Sequence, residues 1–204
     1  MELLLVRHGV TVWNEERRCQ GHTAIPLNEK GLKQAEKLGD YLKDTPIDAI
    51  YASDLSRARQ TAEAVAQHHG LTVVQIATLR ERYYGEWEGL TFEQINERDP
   101  NHRQIRREGG IYGIERFADL QERVVNGLTE LGRKHTGQRV VAVSHGGSIN
   151  AFLHRVTAGE LGTGITTIEN TSITKVTYLG ENGWDVAAVN QTVHLEGKRT
   201  EHNP

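Results

Sequence analysis

A three-layer α/β/α sandwich is predicted, built around a mainly parallel sheet with at least one antiparallel strand. Three observations predict it. Short aliphatic or β-branched runs alternate with longer segments of helical periodicity. Two of those runs, Leu3-Leu4-Leu5-Val6 and Val140-Val141-Ala142-Val143, are unbroken and read as buried strands. Near the end of the chain, Asn182-Gly183 lies between two β-branched runs, a hairpin signal that requires antiparallel pairing.

The elements follow in order. Leu3 to Val6 is a strand that runs into Arg7-His8-Gly9. Pro26-Leu27-Asn28 opens a helix with Leu32, Ala35, Leu38 and Leu42 spaced by three and four. Ala49 to Ala52 is a second strand, closed by Ser53-Asp54. Ala58, Thr61, Ala62, Val65 and Ala66 share one helical stripe, with Gly70 as the expected C-cap. Leu71 to Ile76 is β-branched and reads as a third strand. Thr91-Phe92-Glu93-Gln94 has the capping-box pattern of a helix start, and that helix should end by Asp99 because Pro100 follows. Residues 101–114 hold little apolar material and read as a loop. Phe117, Leu120, Val124, Leu128 and Leu131 mark the clearest amphipathic helix. Arg139 to Ser144 is the strongest buried strand, Ile149 to Val156 continues as a helix, and the hairpin closes the fold. No linker or low-complexity tract divides the chain, so one domain over 1–204 is expected, with 82–116 as a lid-like excursion over one edge.

Composition narrows the function. At 204 residues, 37% hydrophobic and 25% charged, the chain has the make-up of an ordinary soluble protein. Lys+Arg 24 against Asp+Glu 27 leaves a net charge of −3, so no nucleic-acid partner is expected. The aliphatic runs fall far short of the ~20 residues of a membrane span, so no membrane partner is expected either. Met1-Glu2 enters the first strand without a basic segment, and Cys19 is the one cysteine. Both favour a reducing, cytoplasmic location. The unusual figure is ten histidines.

Two of them recur in one context. Leu3 to Gly9 and Val140 to Gly146 each form an apolar strand that ends in His-Gly. In a parallel sheet both pairs reach the carboxyl edge, where α/β folds place ligands. Glycine admits close approach of the backbone, and a following helix N-terminus favours an anion.

The motifs around these pairs resemble the histidine phosphatase superfamily, in its phosphoglycerate-mutase-like branch. Five blocks appear in that family's order. They are Arg7-His8-Gly9-Val10-Thr11 with Trp13-Asn14; Cys19 to Thr23 through Pro26 to Gly31; Ser53 to Ala58 with Thr61-Ala62; Leu79-Arg80-Glu81 with Gly85 to Gly89; and Val143 to Gly147. The tail around Asn190 to Leu195 is most like the family's bacterial broad-specificity phosphatases. One departure is Val10, where the family usually carries an acidic or small residue.

The resemblance implies a phosphoric monoester hydrolase that needs neither metal nor cofactor and acts on a small phosphorylated metabolite. It implies His8 as nucleophile through a covalent phosphohistidine, Arg7 and Arg57 as forks on the phosphate oxygens, and His145 as an imidazolium beside them. Neutral donors come from Asn14, Gln20, Gly21 and Gly146. Glu81 is the general acid, with Glu86 and Glu88 as competitors. A neutral imidazole attacks only if its far nitrogen is held as a donor, so an acceptor behind His8 is expected. His22 and His194 are possible neighbours of the pocket, and His68-His69 reads as a structural pair at a helix end. Arg98, Arg103, Arg106 and Arg107 are offset by Glu97, Asp99 and Glu108, which favours a solvated face, although one within reach of a second anionic group on the substrate.

Other chemistries lack their motifs. No Cys-x-x-Cys or His-Glu-x-x-His occurs, Gly146 to Asn150 misses the last glycine of a nucleophile elbow, and neither phosphate-binding glycine loop is present. A phosphoglycerate mutase is the first alternative, favoured by Glu81-Arg82-x-Tyr84-Gly85 but not by the shortness of 82–116. A non-catalytic phosphate- or phosphoprotein-binding module is the second.

Overall fold

A computed structural model describes residues 1–196; His202 lies outside them. Strand β1 (Glu2–Arg7) is followed by one helical turn, α1 (Val12–Glu15), and by α2 (Glu29–Leu42). Next come β2 (Ala49–Ala52), α3 (Ser56–Ala66) and β3 (Val73–Gln75). Then α4 (Phe92–Arg98), α5 (His102–Glu108) and α6 (Phe117–Lys134) lead to β4 (Arg139–Ser144) and α7 (Gly146–Val156). The hairpin β5 (Ile173–Tyr178) and β6 (Trp184–Gln191) follows. The sheet order is β3-β2-β4-β1-β5-β6. Its first four strands pair in parallel, and β5 joins β1 and β6 antiparallel, as expected.

Alternation along the central strands divides the core into two layers. Leu3, Leu5, Val140 and Ala142 face α6 and α7, where they meet Leu120, Leu128 and Phe152. Leu4, Val6, Val141 and Val143 face α2 and α3, where they meet Leu38, Ala58 and Val65. Each fully buried aliphatic side chain of this kind contributes roughly 1.5–3 kcal/mol.

This layering also creates the site. The chain leaving β1 passes to the α2/α3 face, whereas the chain leaving the neighbouring strand β4 passes to the α6/α7 face. The carboxyl ends of two adjacent strands therefore diverge, and a crevice opens between them.

Local expectations differ from the structure in four places. Leu32 lies on the outer face of α2, 44% exposed, because Gly31 and Ala35 take the inward positions. Gly31 packs backbone to backbone on the residue after the first His-Gly pair: a Cβ there would lie 2.0 Å from the Val10 carbonyl. Helix α3 ends at Ala66, and Gly70 at φ +61 closes the turn beyond it rather than capping the helix itself. Strand β3 keeps only Val73–Gln75, as the short outermost strand. Residues 102–108 form helix α5 rather than a loop. Its apolar stripe shrinks to Ile105 because it packs on only a small satellite core of Cys19, Trp87, Ile95 and Ile114.

The Thr91 capping box forms with both bonds, and α4 stops at Arg98 as expected. Asn182-Gly183 closes a longer turn, with the Leu179 amide donating to the Gly183 carbonyl at 2.8 Å. No helix of the described residues is long and apolar enough to cross a membrane.

Candidate active site

A cavity of about 690 Å³ opens at the carboxyl ends of β1 and β4. Arg7, His8, Asn14, Gln20, Gly21, Arg57, Glu81 and Gly146 all line it. His145 stands behind them, fully buried, with its ring 5.1 Å from that of His8 and tilted by 57°. Residues drawn from five separate stretches of sequence thus converge on one point.

His8 leaves the sheet with its amide still bonded to Ser144 O at 3.0 Å, so the β1–β4 ladder sets its direction. Its Nδ1 lies 2.7 Å from the Gly9 carbonyl. A carbonyl only accepts, so Nδ1–H donates and Nε2 keeps its lone pair. This is the acceptor expected behind the imidazole, supplied by the next residue. Burial above all, then Arg57 and Arg7, holds His8 well below the ordinary histidine range.

His145 is depressed in the same way, first by burial and then by Arg57, His8 and Arg7. Burial and the two neighbouring guanidiniums both act against the imidazolium expected at His145. Neither of its ring nitrogens has a hydrogen-bond partner among the described residues.

These depressions set a pH dependence. The unfolded chain takes up protons on these imidazoles as pH falls through 6.5, and the folded chain resists. Their contribution to stability is therefore complete above pH 6.5 and is lost progressively below it. Thermal melting between pH 8 and 4.5 should show a midpoint that falls on the acid side, and His8→Ala should flatten that fall. A midpoint indifferent to pH over this range would contradict neutral burial of the pair.

The two arginines are tethered by backbone carbonyls. Arg57 donates to Thr23 O at 2.9 Å and Gly21 O at 2.7 Å, and Arg7 donates to Ile168 O at 2.6 Å. Burial pulls Arg57 down to about 10, against the opposing pull of Glu81 and Glu88, so it stays cationic at neutral pH. Arg7 is lowered by burial, again opposed by Glu81.

Glu81 is the one acidic side chain on the cavity wall among the described residues. Its carboxylate accepts from Gly147 N at 3.0 Å and Arg82 N at 2.8 Å. A Cβ on Gly147 would lie 2.4 Å from Glu81 Oε1, so the close approach needs glycine there. The Glu81 main-chain carbonyl accepts from His22 Nε2 at 2.8 Å and Arg123 Nη2 at 3.3 Å. His22 therefore braces the segment from behind rather than lining the cavity.

The competitors are occupied elsewhere. Glu86 pairs with Arg98 at the surface. Glu88 accepts from the amides of His22, Thr23 and Tyr84 and from Thr23 Oγ1. That carboxylate ties down the 20–23 turn, and Gly21 must be glycine beside it: φ is +49, and a Cβ would lie 1.9 Å from Glu88 Oε1.

Motif reading missed three further side chains. Thr11 Oγ1 contacts both Asn14 Oδ1 at 3.1 Å and Gln20 Oε1 at 2.9 Å, so their amide nitrogens are left for the cavity. Thr61 Oγ1 accepts from Gly9 N at 3.0 Å and donates to Arg57 O at 2.8 Å, joining two segments of the cavity wall. Arg82 is buried, donates to Glu115 O and Arg106 O, and keeps Nη2 unpartnered. Thr11 and Thr61 sit inside recognisable blocks, but nothing local separates an orienting hydroxyl from a packing one.

The 82–116 stretch carries Arg103, Arg106 and Arg107 onto the cavity wall beside Arg82 and Arg18. The balanced charge count of that stretch had pointed to a solvated face. In α5, residues three and four apart share a side, which gathers these arginines on the cavity. Most other histidines are engaged elsewhere: His68 lies 3.9 Å from Asp40, His102 bonds Asp99 O, His135 bonds Tyr51, and His154 bonds Gln121.

The chain matches the family model described as histidine phosphatase superfamily (branch 1) over residues 3–192. It is 34% identical to the uncharacterized phosphatase PhoE of Bacillus subtilis, covering 95% of this chain and 96% of that protein. It is 34% identical to a metal-independent phosphoserine phosphatase of Arabidopsis thaliana, covering 95% and 83%. Relatives named as probable phosphoglycerate mutases also match, at about the same identity. The solved structure of Bacillus stearothermophilus YhfR superposes with a TM-score of 0.87 at 32% identity, covering 96% of this chain and 99% of that one. With a family model matched over residues 3–192, the chain belongs to the histidine phosphatase superfamily, branch 1.

Proposed function

We propose that this protein is a metal-independent phosphatase that hydrolyses small phosphomonoesters through a phosphohistidine on His8. The observation that carries this reading is the state of His8. It is neutral and buried, its Nδ1–H is held by Gly9 O, and its Nε2 lone pair is free in a cavity shared with Arg7 and Arg57.

The steps follow from the geometry. Arg7 and Arg57 neutralise the equatorial phosphoryl oxygens, assisted by the amide nitrogens of Asn14 and Gln20, the N-terminus of α7 and an N–H of His145. His8 Nε2 attacks phosphorus as the phosphorus–oxygen ester bond breaks, and Glu81 delivers a proton to the departing oxygen. Water then attacks the phosphohistidine, Glu81 takes its proton, and inorganic phosphate leaves with His8 restored.

The excursion points to a substrate with a second anionic group. Arg103, Arg106 and Arg107 line the cavity that holds Arg7 and Arg57, and buried Arg82 has no carboxylate partner among the described residues. A phosphomonoester that also carries a carboxylate fits this wall, and the Arabidopsis relative's name points to phosphoserine. Arg106→Ala should raise KM for phosphoserine about tenfold, a loss of about 1.4 kcal/mol. KM for p-nitrophenyl phosphate, which has no second anion, should stay within twofold. Equal changes for both substrates would remove the subsite.

A mutase would share the first half-reaction and return the phosphoryl group to a second hydroxyl. A panel of phosphomonoesters followed for both inorganic phosphate and isomerised product separates the two, and phosphate release is the expected result. A binding module that had lost its chemistry would lack the nucleophile or the acid, and His8 and Glu81 stand together in the cavity.

A further inference from the structure

Strand β5 runs antiparallel to β1, so the residues that lead into β5 lie beside the carboxyl end of β1, behind the turn that carries His8. Thr171 stands there fully buried at φ +60. A β-branched residue in the left-handed region is a genuine outlier, and such strain persists only where the surroundings over-determine it.

The surroundings are specific. The Thr171 amide lies 2.9 Å from the Arg7 carbonyl and 3.3 Å from the His8 carbonyl. Asn170 Nδ2 donates to the same His8 carbonyl at 2.9 Å. The peptide planes before and after the His8 Cα are thereby both pinned.

The strained residue is itself held. Thr171 Oγ1 donates to Asn170 O at 2.7 Å, which uses its one proton. His194 Nε2, 3.1 Å away, must therefore donate to Thr171 Oγ1. His194 is 8% exposed and packs against the Tyr41 ring of α2. It lies outside the cavity wall, yet it stands only one residue removed from the His8 main chain.

We propose that Asn170 and Thr171 are positioning residues for His8, and that His194, near the end of the described chain, fixes Thr171 in its strained conformation. The proposal rests on the reading of His8 as the nucleophile. In-line attack tolerates little displacement, and a shift of about 1 Å costs on the order of 100-fold in rate. The clamp acts on the backbone that aims Nε2, whereas the Arg57 guanidinium is held separately, by Gly21 O and Thr23 O.

The test uses the full chain with Asn170→Ala, the equal-sized Asn170→Asp, His194→Ala and His194→Gln, which keeps an N–H donor. Rapid-quench measurement of phosphohistidine formation from p-nitrophenyl phosphate is the primary readout, beside inhibition by inorganic phosphate and the melting midpoint. Both Asn170 variants should slow phosphorylation at least tenfold, with phosphate inhibition within threefold of the parent. His194→Ala should slow it at least threefold, and His194→Gln should return it to within twofold. If Asn170→Ala does not fold, Asn170→Asp decides the matter. Phosphorylation within twofold of the parent in a folded Asn170 variant overturns the proposal, as does a rate loss matched by an equal loss of phosphate affinity. His8→Ala run alongside separates the two readings. A phosphoenzyme absent in His8→Ala but formed at parental rate in the Asn170 variants removes only the positioning role. A phosphoenzyme that persists in His8→Ala removes the nucleophile itself.

Discussion

His8→Ala is expected to lower turnover of p-nitrophenyl phosphate by at least about 1,000-fold while leaving the fold intact. The arginine cradle and the α7 N-terminus remain in this variant, so phosphate still binds, but the Nε2 lone pair that accepts the phosphoryl is gone. The variant also removes a buried polar ring from between two guanidiniums, so its folding cost should stay within a few kcal/mol. The parent, given labelled substrate and quenched, should yield an adduct that acid hydrolyses and base preserves, as a phosphoramidate does. Near-normal hydrolysis by His8→Ala, or an acid-stable phosphoserine in the parent, would sink the assignment.

Glu81→Gln should show its loss selectively. Gly147 N and Arg82 N bond different oxygens of the carboxylate, so the substituted carboxamide keeps one of these two bonds and has no acidic proton to give to a leaving alkoxide. Alkyl phosphates should lose about 100- to 10,000-fold in kcat, the range of general acid catalysis. p-Nitrophenyl phosphate, whose leaving group departs without help, should lose far less in the phosphorylation step. The comparison of leaving groups is the measurement that matters, because a merely structural Glu81 would depress both substrates alike. Glu88→Gln provides the contrast: its carboxylate is committed to the 20–23 turn, so it should raise KM without any leaving-group dependence.

Much of this was legible in the order of residues. Strands ending in His-Gly reached the same sheet edge because parallel pairing of β1 and β4 aligns their carboxyl ends. The hairpin, the Thr91 capping box and the amphipathic α6 are short-range features, set by spacing within a few turns, and each formed as read. Helix α5 was not legible, because a seven-residue helix on a satellite core needs only Ile105 as an apolar anchor. Leu32 was misplaced because glycine and alanine can take the inward positions of a close helix contact and turn a larger residue outward.

The sequence by itself determined the fold class, the family and the identity of the residues that gather at the cavity, because motif chemistry and periodicity are local properties. Only the tertiary structure decided their states. Burial and two neighbouring guanidiniums together push the His145 imidazole toward its neutral form, and none of these is a property of its own segment. Glu81 lines the cavity, whereas Glu86 pairs with Arg98 and Glu88 holds the 20–23 turn. The arginines of α5 line the cavity, although their charge count along the chain is nearly balanced. Thr171 reaches the backbone of His8 because β5 pairs antiparallel with β1 and brings a distant segment to the strand end. Long-range contact sets desolvation, charge proximity and hydrogen-bond competition, and those three quantities turn a set of residues into a site with a direction of reaction.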